Sequence, residues 1–580
     1  GDKYRTWVMP PIAFSPQDPH TLYLGAQEVL ATDDGGVHWR SLSPDLTRGA
    51  SKKPEPQRRP VNRLTALAPS PVEAGVLWAG SGDGLIHLTR DGGRAWQDVT
   101  PPAFARRQPS QASQQEPSYP MVIEIEASHT DAGTAYAVLQ VPRDFHPYIV
   151  RTHDFGHSWT AIMQGLPPAS LAWAVREDGA RKGLLYAGTE TGVFVSFDDG
   201  DHWQSLQLNL PASPVRDLAV HGNDLVAATF GRALWILDDI SPLRLLTSEI
   251  TGSSAHLFPP AAAVRARWDM NPDTPLPPET PAAQNPPDGA TINYFLKDSA
   301  PGTVTLAIYD AHHNLIRQFS TTPEPPPPQP ANAPEYWFAP EPALRPHPGL
   351  NRFVWDLRYP HPAALTYGYF GKHLDYFEYT LPDHAIPGQT PRYQPQGPLV
   401  VPGLYQVVLT VNGQEYRQPL TVRPDPRVRA SQADYEAQLA LERKLSQAMD
   451  ASDQAWEQVH AARSALANDQ KDLSQKDITQ PAKKLDDALG ELEDGNPQKP
   501  GFGPLNRDLG RLMTMAGTGD ARPAQTLYAA ARDACDSLNQ ALARWRQLNQ
   551  QELASFNALL QKNGKPPLPI AQAPASGCAP

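Results

Sequence analysis

Cysteine, long apolar runs and strong charge of one sign are all scarce in this chain of 580 residues. Only two cysteines occur, which excludes a disulfide-rich scaffold and a cysteine-ligated metal cluster. No segment reaches the ~18 apolar residues that a membrane-spanning helix needs. The net charge of −12 argues against a duplex nucleic-acid partner, because affinity for nucleic acid comes largely from neutralising phosphates.

Motifs for common catalytic chemistry are also absent. The sequence has no Gly-rich phosphate loop, no Gly-x-Ser-x-Gly elbow and no His-Glu-x-x-His zinc motif. We therefore expect no cofactor and no metal. The pairs Asp198-Asp199 and Asp238-Asp239 offer oxygen ligands, but they lack the spacing of a known calcium loop.

Proline, by contrast, is abundant, with 64 of the 580 residues, roughly twice its ordinary share of ~5%. Because proline breaks the hydrogen bonds of helix interiors, a chain with this much proline is not a long helical repeat. The composition instead favours many turns, edge strands and linkers. The predicted fold class is mainly β and multidomain.

An eight-residue pattern, Ser/Thr-x-Asp-x-Gly-x-x-Trp, occurs four times within residues 1–245. Glycine tolerates the positive φ of a hairpin turn, and the Asp and Ser/Thr side chains bond turn amides. The Trp begins the next strand and is expected to pack its ring under the turn. The residues given this structural role are Asp34, Gly36, Trp39, Asp91, Gly93, Trp96, Asp154, Gly156, Trp159, Asp198, Gly200 and Trp203.

Short strands flank each of these boxes, so each repeat contains four strands, which is typical of a propeller blade. A fifth unit without a box follows, with strands at 215–220, 224–229 and 233–239. Residues 1–245 are therefore predicted to form about four and a half β-propeller blades that belong to a larger propeller.

The four boxes resemble the Asp-box, or bacterial neuraminidase (BNR), repeat of sialidases and sortilin-type receptors. The run 229–240 is similar to the last blade of a family of bacterial secreted, sialidase-like Asp-box propellers. The resemblance implies that this chain is the C-terminal part of a longer family member. The remaining N-terminal blades would then come from the same precursor or from another chain. It also implies a secreted or periplasmic location, associated with the bacterial cell surface.

The middle of the chain changes character twice. Residues 246–287 are rich in Pro and Ala and are predicted to be a linker. Alternating strands over 288–424, with a hairpin turn at Asn412-Gly413, predict an immunoglobulin-like β-sandwich. Aromatic residues of the insertion 361–400 either cover a sandwich edge or interdomain seam, or form a partner- or sugar-binding surface. They are Tyr367, Tyr369, Phe370, Tyr376, Phe377 and Tyr379.

Residues 429–562 are predicted to form a helical bundle, because Ala, Leu, Gln and Asp dominate and apolar residues recur at helical spacing. Ser431 and Asp434 have the spacing of a capping box, and a second helix is expected after Pro481. The tail 563–580 is predicted to be extended. A disulfide between Cys535 and Cys578 would staple the tail to the bundle and would agree with an oxidising compartment.

Two functions fit this architecture. The favoured one is a non-catalytic, sortilin-like propeller scaffold that binds a protein or peptide ligand within a larger assembly. The alternative is a glycoside hydrolase of sialidase type acting at the propeller channel, where bidentate arginines would grip a sugar carboxylate. The candidate side chains on or near innermost strands are Arg63, Glu124, Glu126, Arg176 and Arg216. The Asp-box carboxylates are assigned to outer turns and not to catalysis.

Overall fold

The computed structural model describes residues 4–6, 9–49, 62–106, 119–267, 279–280, 286, 288–298, 302–321, 344–365, 396–470, 476–496, 498–576 and 578. The chain divides into two compact units, Gly1–Leu245 and Leu246–Pro580. The protein is mainly β, with several four-stranded sheets and a C-terminal helical region. The six aromatic residues of the insertion, from Tyr367 to Tyr379, lie outside the described residues.

The first unit contains five antiparallel sheets that follow one another along the chain. The first sheet has strands β1 (Ile12–Phe14), β2 (Leu22–Gly25), β3 (Val29–Thr32) and β4 (Arg40–Ser41). The second has β5 (Leu64–Pro69), β6 (Leu77–Ser81), β7 (Ile86–Thr89) and β8 (Gln97–Asp98). The third has β9 (Met121–Ala127), β10 (Ala135–Gln140), β11 (Ile149–Thr152) and β12 (Thr160–Ala161). The fourth has β13 (Ala172–Glu177), β14 (Leu185–Thr189), β15 (Val193–Ser196) and β16 (Gln204–Ser205). The fifth has β17 (Val215–His221), β18 (Asp224–Thr229) and β19 (Leu234–Leu237), and a short helix, α1 (Ser241–Leu245), follows it.

The sheets pack face to face in chain order, which is a propeller-like arrangement. The first strands β1, β5, β9, β13 and β17 each lie beside the next, so they are the innermost strands. A separate apolar core fills the space between each successive pair of sheets. The strands β6, β10 and β14 are buried except for Gln140 at the end of β10, because a neighbouring sheet covers each of their faces.

The four Asp boxes form the same hydrogen-bonded turn. In each, the Ser/Thr hydroxyl donates to the Asp Oδ1 over 2.8–2.9 Å and accepts the N–H of the second Gly position over 2.8–2.9 Å. The same Oδ1 accepts the backbone N–H four residues on, over 2.8–2.9 Å. Hydrogen bonds from Ser158 lower the pKa of Asp154 to about 2. The box carboxylates are therefore engaged in their own turns.

The box tryptophans depart in part from the expectation that each ring packs under its own turn. Trp39 does so, and its indole Nε1 donates to Gly36 O over 3.0 Å. Trp96, Trp159 and Trp203 instead reach the preceding sheet and donate to backbone carbonyls there. These three turns lie against a preceding sheet, and the glycine of each turn lets that sheet come close enough for the indole to reach it.

The second unit begins with a short helix, α2 (Ser248–Gly252), and two sheets that share one core. One sheet contains β20 (Ala255–Leu257), β22 (Ala290–Leu296) and β25 (Gly349–Trp355). The other contains β21 (Ala263–Arg265), β23 (Val304–Asp310), β24 (Leu315–Ser320), β26 (Gly403–Val411) and β27 (Gln414–Pro424). Their order is β20-β22-β25 in the first sheet and β21-β27-β26-β23-β24 in the second, with β21 parallel to β27.

The structure of this region differs from the predicted linker and agrees with the predicted hairpin. The prediction of a linker over 246–287 is wrong at β20 and β21, because Ala255, Leu257 and Ala263 are buried in the sheet core and hold these strands in place. The predicted hairpin turn at Asn412-Gly413 is confirmed, since both residues have positive φ and join β26 to β27.

The helical region packs around its own core. Its helices are α3 (Gln432–Gln470), α4 (Lys476–Glu493), α5 (Phe502–Ala516), α6 (Gln525–Leu548) and α7 (Ala554–Lys562), with a small hairpin of β28 (Gly495–Asn496) and β29 (Lys499–Pro500) and a π-helical turn at Asn549–Leu553. The capping box is confirmed, because the Asp434 N–H donates to Ser431 Oγ over 3.3 Å and the Ser431 N–H donates to Asp434 Oδ2 over 3.0 Å at the start of α3. The second helix does not begin after Pro481 as expected. It starts at Lys476, since Ile478 and Ala482 are buried in the core. Among the described residues, no helix is both long and apolar enough to cross a membrane.

The C-terminal tail is tied to the helical region by a disulfide and by side-chain hydrogen bonds, which include those from Asn549 to Ala571 O and from Gln458 to Gln572 O. Cys578 forms a disulfide with Cys535 of α6, and the two Cα atoms are 5.6 Å apart. Asn557 of α7 accepts the N–H of Leu568 over 2.7 Å and donates to its carbonyl over 2.9 Å.

A buried ion cluster joins β21 to the helices. Arg265 forms an ion pair with Asp520, and both side chains are almost fully buried. Asp520 also pairs with Arg267 over 2.6 Å, and Arg265 donates to Gln438 of α3 over 3.2 Å. Glu442 lies close to this cluster, and burial raises its pKa to about 7 despite the nearby arginines.

Glu442 is expected to make the stability of the helical region depend on pH. Its pKa is about 7 in the folded chain and near its ordinary value of 4.5 in the unfolded chain, so the folded state binds the proton more tightly. Stability should therefore fall as pH rises from 4.5 to 7, by at most about 3 kcal/mol. Glu442→Gln should remove this loss and be more stable than the wild type at pH 8. Urea unfolding at pH 5 and pH 8, followed by circular dichroism at 222 nm, measures the effect. The exposed Glu436→Gln on the same helix is the control, and equal pH slopes for Glu442→Gln and wild type would contradict the prediction.

Candidate functional site

Arg176 lies at the centre of a charged cluster formed by three innermost strands. It belongs to β13, with Glu124 and Glu126 on β9 and Asp217 on β17. Its Nη1 forms an ion pair with Glu124 and lies 3.7 Å from Glu126 Oε2, while its Nη2 lies 2.7 Å from Asp217 Oδ1. The guanidinium also donates to the backbone carbonyls of Val175 and Leu218. All three of its nitrogens are thus bonded within the protein.

The charges of this cluster alter one another. Burial raises the pKa of Glu124 to about 7, although the positive charge of Arg176 opposes the change. Burial alone would lower the pKa of Arg176, but the carboxylates of Glu124, Glu126 and Asp217 outweigh it and raise that pKa. Near neutral pH, Glu124 is therefore partly protonated while Arg176 stays charged.

A cavity of about 480 Å³ opens beside the cluster. Its polar lining comes from Glu126, His129, Arg176, Glu177 and Arg244, and its apolar lining includes Ala219 and Val220. Arg244 is neutralised by the buried Asp178, because its Nε lies 2.9 Å from both carboxylate oxygens. The lining therefore carries charges of both signs, with the carboxylates of Glu126 and Glu177 beside the guanidinium of Arg176.

His129 connects the two carboxylates of the cavity. Its Nε2 lies 3.2 Å from Glu126 Oε1, and its backbone N–H donates to Glu177 Oε2 over 2.5 Å. The hydrogen bond to Glu126 raises the pKa of His129. Burial raises the pKa of Glu177 in spite of the bonds that it accepts. Sequence patterns did not single out His129, Glu177 and Asp217. The one signal for them was their position, since Glu177 and Asp217 lie on innermost strands and His129 lies two residues after one.

The remaining predicted arginines do not join Arg176 around one carboxylate. Arg216, on β17, stacks on Trp173 with its guanidinium carbon 3.4 Å from the ring centroid, and its Nη2 lies 3.9 Å from Glu190. Arg63 precedes β5 in the second sheet, where its carbonyl accepts the N–H of Gly82. Of the five candidates, the structure therefore brings together Glu124, Glu126 and Arg176. Within the described residues, no group of three or more His, Cys, Asp or Glu side chains has the arrangement of a metal site.

The two end sheets of the first unit carry a second kind of surface. Ile12 and Phe14 of β1, together with Phe230, Leu234 and Ile236 of the fifth sheet, are 57–70% exposed. The corresponding faces of the middle sheets are buried against neighbours. Each end of the stack of sheets thus presents apolar side chains to solvent.

Comparison with known proteins gives matches to solved structures alone. No protein-family model and no curated protein matches the sequence. An ancestral GH74 enzyme is 13% identical, with a TM-score of 0.30 and coverage of 55% of this chain and 39% of that one. The GH74 xyloglucanase from Xanthomonas campestris is 14% identical, with a TM-score of 0.29 and coverage of 50% of this chain and 43% of that one.

YCF48 from Cyanidioschyzon merolae is also similar, at 14% identity and a TM-score of 0.25, with coverage of 44% of this chain and 90% of that one. These neighbours are β-propeller proteins. The match spans about two fifths of the length of the two GH74 structures. At these identities and TM-scores, the similarities support no inference about the activity of this chain.

Proposed function

We propose that this chain is a non-catalytic, propeller-like scaffold that binds a protein partner through the end sheets of its first unit. The observation that carries the proposal is the pair of open apolar faces on the first and fifth sheets. Large exposed apolar patches mark sites of protein association, because covering them removes apolar surface from water. The scaffold would then be a subunit of a larger assembly.

We also propose a family and a cellular location for this chain. The repeated Asp-box turns support membership of an Asp-box (BNR), sortilin-like family. A disulfide between Cys535 and Cys578 supports a secreted or periplasmic location, because disulfides persist in oxidising compartments. We also interpret the two-sheet region as immunoglobulin-like. Two observations support this interpretation. The strands follow the order described above in two sheets that share one core. The hydroxyl of Tyr405, near the start of β26, donates to Val401 O over 2.6 Å, as the corresponding tyrosine does in immunoglobulin-like domains.

A glycoside hydrolase of sialidase type is the second candidate, and Glu124 is the residue that favours it. A carboxylic acid with a pKa near 7 beside a second carboxylate suits general acid catalysis at neutral pH. Against it, Arg176 is bonded on all its nitrogens, and Arg216 is stacked elsewhere, so neither is placed to grip a substrate carboxylate. Hydrolysis of a fluorogenic sialoside by the wild type and its loss in Glu124→Gln would favour the enzyme.

The binding proposal predicts the mass of the native particle. The full chain, affinity-purified from cells that make it naturally, should elute with at least one further polypeptide and a molar mass above the 63.5 kDa of one chain. Ile12→Asp and Leu234→Asp place a charge on each end face and should release the partner, because burying an unpaired charge is costly. Size-exclusion chromatography with light scattering measures the mass.

The matched control is Leu315→Asp, at a half-exposed apolar position of the second unit. This variant should keep the partner. A wild-type particle with the mass of one chain would contradict the proposal.

A further inference from the structure

Each box tryptophan after the first makes the same contact with the sheet before it. The indole Nε1 of Trp96 donates to Leu42 O over 2.9 Å, that of Trp159 to Val99 O over 2.8 Å, and that of Trp203 to Ile162 O over 2.9 Å. We call these acceptors, Leu42, Val99 and Ile162, the latch residues. Each is aliphatic and follows directly after the fourth strand of its sheet. Three successive sheet interfaces are therefore closed by one repeated contact.

A glycine completes the socket that receives each latch residue. A Cβ atom on Gly93 would lie 2.7 Å from Leu42 O, and one on Gly156 would lie 2.6 Å from the Val99 Cβ. A Cβ on Gly200 would lie 2.5 Å from the Ile162 Cδ1. The second glycine position of the box therefore has to lack a side chain, because the latch residue occupies that space. The glycine and the tryptophan of one box together form a socket that receives the latch residue of the preceding sheet.

The latch residue also has a fixed place in the sequence. Leu42, Val99 and Ile162 each lie three residues after the tryptophan of their own box, and Leu206 lies three residues after Trp203. Each of these four donates its backbone N–H to the third strand of its own sheet, to Val29, Ile86, Ile149 and Val193 respectively. The repeat is therefore longer than the eight-residue box and reads Ser/Thr-x-Asp-x-Gly-x-x-Trp-x-x-aliphatic.

The first box has the same turn but a different surrounding. Its hydroxyl and carboxylate bonds match those of the other boxes. Trp39, however, is 38% exposed and donates to Gly36 O in its own turn. Within 4 Å, a Cβ on Gly36 would meet only the ring of Trp39. Among the described residues, no latch residue occupies the socket of Gly36 and Trp39. Ile12 and Phe14 of the same sheet are also exposed to solvent.

We propose that the socket of Gly36 and Trp39 binds the latch residue of a further Asp-box sheet carried by a partner polypeptide. This inference rests on the proposed scaffold function and names the chemistry of the partner at one end face. The partner would present a four-stranded sheet and an aliphatic residue three positions after a box tryptophan. The carbonyl of that residue would accept the Trp39 indole N–H.

A second copy of this chain does not meet the requirement. Its latch residues Leu42, Val99 and Ile162 already sit in sockets of the same copy. Leu206 packs into the core between the fourth and fifth sheets. The fifth sheet has three strands among the described residues, so it offers no residue after a fourth strand. The described residues of a second copy therefore do not supply the missing sheet.

Photo-cross-linking tests the identity of the occupant. The full chain carrying p-benzoylphenylalanine at position 39 would be expressed in cells that naturally make it, irradiated, purified and digested for mass spectrometry. The expected cross-linked peptide comes from another polypeptide and includes an aliphatic residue three positions after an Asp-box Trp. The same probe at position 96 should link to residues 40–44 of this chain, which serves as the positive control. A probe at Leu315 should not link to that peptide.

Three results would overturn the inference. They are a link to this chain itself, a link to a protein without an Asp box, and no link at position 39 while position 96 links normally. A partner without a box would leave the scaffold proposal intact, whereas a particle with no partner would remove both.

A conservative substitution distinguishes the loss of the Trp39 hydrogen bond to the partner from a general effect on folding. Trp39→Phe keeps a smaller aromatic ring but removes the N–H, and it should weaken partner binding about five- to tenfold. The matched control is Trp173→Phe on the fourth sheet, because that indole also donates within the first unit, to Glu190 Oε1. Equal affinity of the two variants would argue that the Trp39 N–H makes no bond to the partner.

Discussion

Arg176→Met is expected to lower the free energy of unfolding of the first unit by about 3–5 kcal/mol, because it leaves the largely buried carboxylates of Glu124 and Glu126 without their counter-charge. Arg176 pairs with Glu124, Glu126 and Asp217, and it ties the innermost strands of three successive sheets together. Methionine fills similar volume but supplies neither charge nor donors. Urea unfolding at pH 7.5, followed by tryptophan fluorescence, measures the loss.

Two variants make this prediction specific. Arg216→Met removes a cation that stacks on Trp173 in a more exposed position, so its cost should stay near 1 kcal/mol. Adding Glu124→Gln to Arg176→Met should recover part of the loss, since one of the stranded carboxylates is then neutral. If Arg176→Met cost no more than Arg216→Met, the cluster would not hold the three sheets together.

Cys578→Ser is expected to destabilise the second unit by about 2–4 kcal/mol. The disulfide closes a loop between residues separated by 43 positions, so its removal gives the unfolded chain more freedom. It also frees the tail from α6, although the bonds between Asn557 and Leu568 remain. Urea unfolding followed by circular dichroism at 222 nm reports on the helices and measures the change.

Reduction of the wild type with dithiothreitol should reproduce the effect of the substitution. Ser576→Ala, which alters the tail but not the disulfide, is the control and should change stability by less than 1 kcal/mol. Wild-type stability that does not change on reduction would argue against a role for the disulfide in holding the tail. It would also weaken the proposal of an oxidising compartment.

Short-range chemistry explains which features the sequence predicted correctly. The hairpin at Asn412-Gly413 and the capping box of Ser431 and Asp434 depend on residues one to three positions apart. Their hydrogen bonds form within a single turn, so they are the same in any surrounding. The strands of the first unit and the start of the second unit's helical region follow from patterns of this local kind.

The errors arose where distant parts of the chain decide the outcome. Residues 255–257 and 263–265 are surrounded by proline-rich sequence, yet they become strands because the sheet core takes up their apolar side chains. Pro481 lies within α4 because burial of Ile478 and Ala482 outweighs the lost helix hydrogen bond. In both cases the gain from burial exceeds a local preference.

The sequence alone thus determined the repeat, the turns, the mainly β class and the candidate charges Glu124, Glu126 and Arg176. The tertiary structure decided what these residues do. Only the packing of β9, β13 and β17 bonds Arg176 on all its nitrogens, and only the stacking of sheets turns a box Trp toward its neighbour. The physical reason is that burial, ion pairing and sheet contacts join residues tens of positions apart, which no local pattern records.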